Sequence, residues 1–166
     1  MILAKLICKT KTDTNLNEYF YVNSKNGIYT IGDLSFEYGK TLETQGTTGN
    51  KPVSYITALK LINSGFKIHL DHRFVDIQEK EAKWRDMAEN NYVYNFYVGD
   101  KKIGKNPFVI ESVKVSNIRI NGRGVILSED LDVTLQEYAG GKSTIGILRK
   151  RLADYSEDGT TVSWTM

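Results

Sequence analysis

The sequence predicts an α+β fold in which β-strands dominate, an antiparallel β-sandwich or barrel-like domain with one amphipathic helix packed on the sheet. Ten tyrosines and many valine, isoleucine and threonine residues favour strands over helices. The two prolines, Pro52 and Pro107, each precede a predicted strand, where a missing N–H does least harm. A clear helical period occurs in one segment, at about 77–89.

Length and charge restrict the classes of function. A chain of 166 residues is long enough for one domain with a substantial core, which we place at 1–139, followed by a C-terminal extension, 140–166. A net charge of +2 argues against nucleic acid or an anionic membrane as the partner. No segment has the character of a signal sequence or a membrane span, so we expect synthesis in a cytoplasm.

The N-terminal third is predicted to form short strands at about 2–9, 18–23, 27–31 and 34–38. Asn26-Gly27 is a typical hairpin signal between two of them. Cys8 lies in an apolar stretch and is predicted to be a small core residue. Residues 40–51 contain almost nothing apolar, which predicts a polar loop, or an arm that orders only against a partner.

The middle of the chain changes its period. Residues 53–62 and 66–70 are predicted strands, and residues 77–89 follow with apolar side chains on one helical face. Asp76 is a predicted N-cap that forms a capping box with Glu79, and Asn90-Asn91 is predicted to end the helix.

A hairpin is predicted after the helix and an aromatic strand at 92–98. Its first strand, 108–120, changes its apolar phase near Ser112-Val113, which predicts bulges or strong bending. Residues 121–124 form the predicted turn. The returning strand, 125–138, alternates apolar and polar residues with Glu129 as the interruption.

Four patterns in the sequence are candidate chemical sites. Gly140-Gly141-Lys142-Ser143-Thr144 lacks the first glycine of a phosphate-binding loop, so it is interpreted as a hinge. His69 and Asp71 share one face of a predicted strand, whereas His72 points to the other face. The three residues are therefore interpreted as surface or hydrogen-bonded residues and not as metal ligands. Nothing pairs Cys8 with a base. Acidic residues between Glu79 and Glu89 are interpreted as a solvated helix face, so neither catalysis nor a cofactor is expected.

The aromatic strand 92–98 is open to two interpretations. Tyr92, Tyr94 and Phe96 could stack on a nucleic acid or a sugar, but few basic residues lie near them. Packing under Trp84 is the preferred interpretation, with Tyr97 as the exposed member of the strand.

The order of elements from 53 to 138 and two strings within it carry a family resemblance. The strings are Lys102–Ser112 (KIGKNPFVIES) and Leu131–Tyr138 (LDVTLQEY). Together they resemble the GpU-like tail or baseplate proteins of contractile-tailed phages and phage-tail-like bacteriocins. The positions that match the family pattern are Gly104, Phe108, Val109, Ile110, Glu111, Ser112, Val133, Leu135 and Tyr138.

The resemblance implies a non-enzymatic structural component of the virion or of a phage-tail-like particle, made in the bacterial cytoplasm. Its implied partners are other tail proteins, namely tube, LysM-like or hub and baseplate proteins, and it implies a ring-forming homo-oligomer. Segments outside the matched strings suggest the contact surfaces, because sheet edges and polar arms are natural docking devices. The predicted interface residues are Lys40, Thr47, Asn50, Tyr97, Arg123, Arg149, Lys150 and Arg151.

Two alternatives stay open. The first is a carbohydrate- or peptide-binding module that uses exposed aromatic residues. The second is a small hydrolase or metal-dependent enzyme that uses His69, Asp71 and His72.

Overall fold

A computed structural model describes residues 1–23 and 27–140, and the predicted fold class is confirmed. The extension beyond Gly140 lies outside the described residues. Within the described ranges, one helix, α1 (Ile77–Glu89), and one 3₁₀ turn (Thr14–Leu16) accompany the strands. The strands are β1 (Ile2–Cys8), β2 (Glu18–Asn23), β3 (Gly27–Tyr29), β4 (Ile31–Glu37), β5 (Lys40–Gln45), β6 (Val53–Leu59), β7 (Asn63–Asp71), β8 (Tyr94–Val98), β9 (Lys101–Lys102), β10 (Phe108–Ile120) and β11 (Ile126–Glu137).

Nine of these strands form one antiparallel sheet that curls into a barrel. The order is β3-β2-β1-β8-β10-β11-β7-β4, with β9 attached to β8. The first and last strands of this order are consecutive in the chain, with only Thr30 between them. Because β3 pairs with β2 and β4 pairs with β7, the two ends of the sheet meet at Thr30. This closure is the barrel-like architecture that the sequence predicts.

Aromatic side chains dominate the interior. Trp84 of α1 is fully buried, with its ring centroid 6.2 Å from those of both Phe20 and Phe66. Its Nε1–H donates to the hydroxyl of Tyr29 at 2.9 Å, so the polar edge of the indole is satisfied inside the core. Phe96 stacks on Phe66 with centroids 5.8 Å apart. The aromatic strand therefore packs into the core, as predicted.

The ends of α1 match the sequence signals. The side chain of Asp76 accepts from the backbone N–H of Glu79 at 3.3 Å, which is the N-cap interaction. At the other end, the backbone N–H and the side-chain amide of Asn90 both donate to the carbonyl oxygen of Asp86, at 3.1 and 2.7 Å. Both predicted helix boundaries are confirmed.

The β10–β11 hairpin carries the predicted irregularities. The register shifts between Ile110 and Ser112, and twice more between Ser116 and Ile120. A turn at 121–124 closes the hairpin, where the N–H of Asn121 donates to the carbonyl of Val125 at 2.9 Å. Gly124 has a φ of +78°, a conformation that glycine adopts without a steric penalty.

Residues 40–51 differ from the prediction. Their first half is strand β5, which pairs with β6 in a separate two-stranded sheet. The prediction of a loop relied on the absence of apolar residues, but a ladder of backbone hydrogen bonds needs none, and Thr41 and Thr44 suit a strand. Strand β6, predicted as the first strand of the family-like module at 53–138, pairs with β5 and therefore lies outside the main sheet.

Glu129 is the polar interruption in β11, and it points into the core. Its side chain is fully buried, and neither carboxylate oxygen has a hydrogen-bond partner among the described residues. Burial, with a smaller contribution from the neighbouring carboxylate of Glu81, raises the pKa of Glu129 to about 7 from 4.5. An ionised Glu129 therefore destabilises the folded chain.

We expect Glu129→Gln to remove a pH dependence of stability. Because the folded pKa lies above the unfolded one, the protonated carboxyl gives its full stability below about pH 4.5, and this is lost as the pH rises to about 7. At pH 8 the variant should be more stable than wild type by about 2–3 kcal/mol, with little difference at pH 4.5. Urea denaturation across this range measures the effect. Exposed Glu111→Gln is the matched control, and parallel pH profiles for all three chains would contradict the assignment.

Candidate assembly surface

The two-stranded sheet of β5 and β6 forms a ribbon, residues 40–59, that stands apart from the barrel. At its base the N–H of Lys60 donates to the carbonyl of Gly39 at 2.9 Å. Leu42 lies opposite Ile56, and Glu43 lies opposite Tyr55, whose hydroxyl donates to Glu43 Oε2 at 3.4 Å. Opposite residues share a face, so these two pairs lie on opposite faces of the ribbon.

Both faces of the ribbon expose apolar side chains to solvent. Leu42 is 54% exposed, Ile56 59%, Val53 59%, Tyr55 47% and Leu59 83%. An isolated two-stranded ribbon is at best marginally stable in water, because it has no third strand or packed face to support it. A ribbon with apolar groups on both faces is therefore suited to burial against another molecule.

Three of the predicted interface residues lie on this ribbon. Lys40 begins β5, and Thr47 and Asn50 form the turn at the tip, where the N–H of Asn50 donates to the carbonyl of Thr47 at 3.4 Å. The other two described residues lie elsewhere. Tyr97 was predicted to be the exposed member of its strand, but it is half-buried in β8, where Lys5 Nζ lies 4.9 Å from its ring centroid. Arg123 is exposed in the β10–β11 turn. Arg149, Lys150 and Arg151 lie outside the described residues.

A second surface feature is a groove between α1 and β10 with a volume of about 390 Å³. Its floor consists of the half-buried Ala88, Val113 and Val115. The acidic side chains that line it are Glu81, Glu89 and Glu111, together with one base, Arg85, whose Nη2 donates to Glu81 Oε1 at 3.2 Å. The sequence predicts only a solvated face for the acidic residues of the helix. The groove was not predicted, because only the fold places Glu111 of β10 beside α1.

A buried ion-pair network holds α1 in this position. Glu18 is 1% exposed, and its two carboxylate oxygens lie 2.7 Å from Lys80 Nζ and 2.6 Å from Lys83 Nζ. Lys83 Nζ also donates to the carbonyl of Asn17 at 2.6 Å. No sequence signal relates Glu18 to a helix about sixty residues away, so this network was not predicted.

The histidine segment has the predicted character. His69 Nδ1 bonds to Asp130, and His72 Nδ1 bonds to the carbonyl of Leu127 at 2.9 Å. Arg73 forms a double hydrogen bond to Asp71 and holds the pKa of that carboxyl well below its usual range. Within residues 1–23 and 27–140, no three side chains of metal-ligand type come together.

The remaining candidate positions are assigned as follows. Cys8 is a buried free thiol, as predicted, with Sγ 3.4 Å from Thr10 Oγ1. The glycine-rich segment that begins at Gly140 continues outside the described residues. Among the described residues, α1 is too short and too polar to cross a membrane.

The positions that carry the family resemblance are mainly structural. Phe108, Ile110, Val133 and Leu135 are all buried in the core. Gly104 has a φ of +71° in the loop before β10, and the N–H of Tyr138 donates to the carbonyl of Pro107 at 2.8 Å, which ties the two strings together. Of the remaining positions, Val109 is half-buried, while Glu111 and Ser112 are exposed.

A comparison with protein-family models agrees with the resemblance that these positions carry. No curated protein matches the chain. The model of the family described as Phage P2 GpU matches residues 29–140, which is more than half of the chain and extends further towards the N-terminus than the predicted module at 53–138. The match includes the ribbon, α1 and the β10–β11 hairpin. The chain therefore belongs to the Phage P2 GpU family and is a phage tail-related structural protein.

Proposed function

We propose that the protein is a component of a contractile phage tail or a phage-tail-like particle, as a baseplate or tube-associated protein. It acts by assembling with neighbouring tail proteins and not by catalysis. The observation that carries this proposal is the ribbon at 40–59, whose apolar side chains are uncovered on both faces. Family membership supports the tail as the setting in which a partner covers them.

The uncovered apolar surface of the ribbon gives an energetic reason for assembly. Each large aliphatic or aromatic side chain contributes about 1.5–3 kcal/mol when it passes from water to a packed interface. Leu42, Val53, Tyr55, Ile56 and Leu59 are all about half exposed or more in the isolated chain. Their burial offsets part of the entropy lost on association, and the open edges of β5 and β6 add main-chain hydrogen bonds to it.

The projecting ribbon is compatible with a position of the protein in a ring around the tail tube. A ring of identical subunits needs two different surfaces on each subunit, because heterologous contacts close into rings when the rotation allows it. The ribbon supplies one such surface, and it projects from the barrel at Gly39 and Lys60. Tube, LysM-like and hub proteins are the proposed neighbours in the particle.

Incorporation into particles tests the proposal. We expect the double variant Leu42→Asp, Ile56→Asp to fold and to be absent from purified particles, because two charges on one face of the ribbon oppose burial. Val125→Asp is the matched control, since Val125 is equally exposed (54%) but lies outside the ribbon. Immunoblots of purified particles and of cell extracts measure the two pools. Normal incorporation of the double variant would refute the ribbon as an assembly element.

A further inference from the structure

We propose that the ribbon of one copy docks into the groove between α1 and β10 of a second copy, so that copies associate head to tail. This inference rests on the proposed function and names the acceptor for the ribbon. The occupant of the groove is thus β6 of a neighbouring chain, with β5 behind it.

The first observation is an open sheet edge beside the groove. One edge of β10 pairs with β11 over most of its length. The other edge pairs with β8 at a single position, Phe108 opposite Tyr94. Among the described residues, no other strand pairs with this edge along residues 109–120. Unpaired N–H and C=O groups of this kind accept an added strand.

The second observation is the match in length. At about 3.3 Å per residue, the seven residues of β6 span roughly 23 Å. The open part of β10 is longer than β6, and its regular stretch, residues 112–116, lies between two bulges and offers five residues for pairing with β6. One edge of β6 pairs with β5, and among the described residues no strand pairs with its other edge. The outer edge of β6 and the regular stretch of β10 therefore both offer unpaired main-chain donors and acceptors.

The third observation is the chemical match of the side chains. The groove has an apolar floor and three carboxylates, Glu81, Glu89 and Glu111, of which Arg85 pairs with Glu81. The ribbon presents apolar side chains flanked by exposed lysines, namely Lys40 at the start of β5, Lys51 before β6 and Lys60 after it. Lysines that flank an apolar strand complement acids that line an apolar groove, which favours one register over others.

The two surfaces are different parts of the chain. A contact between ribbon and groove is therefore heterologous, and it leaves an unused ribbon at one end of a dimer and an unused groove at the other. Further copies add in the same way until the assembly closes. This geometry provides the two surfaces that a ring component needs.

Mixing two disabled variants of the full chain tests the direction of the contact. The ribbon variant is Leu42→Asp, Ile56→Asp, and the groove variant is Glu89→Lys, Glu111→Lys. Both groove positions are exposed, so the reversed charges leave the core intact. Sedimentation velocity should show self-association of wild type that increases with concentration, and loss of self-association for each variant alone.

An equimolar mixture of the two variants should form a dimer and nothing larger. Each variant keeps one of the two surfaces unchanged. The groove variant has an intact ribbon and the ribbon variant has an intact groove, so only these two surfaces can pair. The control Val125→Asp should behave as wild type. The inference is overturned if wild type stays monomeric, if the mixture stays monomeric, or if the groove variant self-associates normally, which would indicate that ribbons pair with each other or bind elsewhere.

Charge reversal on the ribbon gives a second readout. Lys40→Glu, Lys60→Glu should lose association with the wild-type groove and regain it with the groove variant. Absence of that rescue argues against this register of docking.

The outcome in particles separates this inference from the function on which it rests. If the ribbon variant is excluded from particles while the groove variant enters normally, the proposed function stands and the acceptor is another tail protein. If both variants enter normally, the ribbon has no part in assembly and the inference fails. The proposed function itself fails only if wild type is absent from purified particles.

Discussion

Replacing residues 40–59 with a short glycine turn between Gly39 and Lys60 is expected to give a folded chain that is absent from assembled particles. The joined ends are already in contact, because the N–H of Lys60 donates to the carbonyl of Gly39 at 2.9 Å. A two- or three-residue turn spans that gap without strain. All thirteen ribbon residues that form β5 and β6 are exposed, so their removal takes no side chain from the core.

The barrel should therefore keep its stability while assembly is lost. We expect a change in the free energy of unfolding within about 1 kcal/mol, since only the loop closure changes. Circular dichroism, denaturation by urea and incorporation into particles are the three measurements. A chain that unfolds after excision would show that the ribbon supports the barrel, and a chain that still enters particles would show that the ribbon has no part in assembly.

The borders of this excision matter. Removing residues 40–51 alone would delete β5 and leave β6 without a strand to pair with. Val53, Tyr55 and Ile56 would then lie on a single unpaired strand, which is a template for aggregation. A failure of that shorter deletion would therefore say little about assembly, whereas removal of both strands leaves no unpaired ribbon strand behind.

Local signals explain which elements could be predicted from the sequence. The boundaries of α1 follow from Asp76 and Asn90, which act within one turn of the helix. The bulged β10–β11 hairpin follows from a period-2 pattern with phase shifts and from the glycine turn at 121–124. These signals operate over a few residues, so both elements can be predicted from the sequence without knowledge of the tertiary structure.

Features that depend on contacts between distant segments were not predicted. Strand β5 has no apolar period because neither of its faces is buried within this chain. The groove needs Glu111 of β10 to lie beside α1, and Glu18 needs two lysines that follow it by more than sixty residues. In the sequence, Glu129 interrupts the alternation of apolar and polar residues in β11, and only the fold shows that its side chain is buried. A sequence pattern records which face a residue occupies, but not which element covers that face.

The buried ion-pair network predicts a large loss of stability from substitutions of two lysines in α1. We expect Lys80→Met, Lys83→Met to lower the free energy of unfolding by about 3–5 kcal/mol, because it leaves the carboxylate of Glu18 buried without a partner charge. Methionine keeps the helix propensity and most of the length of lysine, so the loss is electrostatic. Arg85→Met is the matched control: it removes an exposed pair with Glu81 on the same helix and should cost less than about 1 kcal/mol.

A third substitution separates the buried charge from the lost lysines. Adding Glu18→Leu to the double variant removes the unpaired carboxylate, and replacement of a buried ion cluster by apolar groups of similar size is often neutral or stabilising. We therefore expect the triple variant to recover most of the lost stability in urea denaturation. If the double variant costs no more than Arg85→Met, or if the triple variant is as unstable as the double, the network does not anchor α1. If the recovery is seen, α1 is held against β2 by charge neutralisation around Glu18, and the position of the groove beside β10 depends on a residue that lies outside the groove.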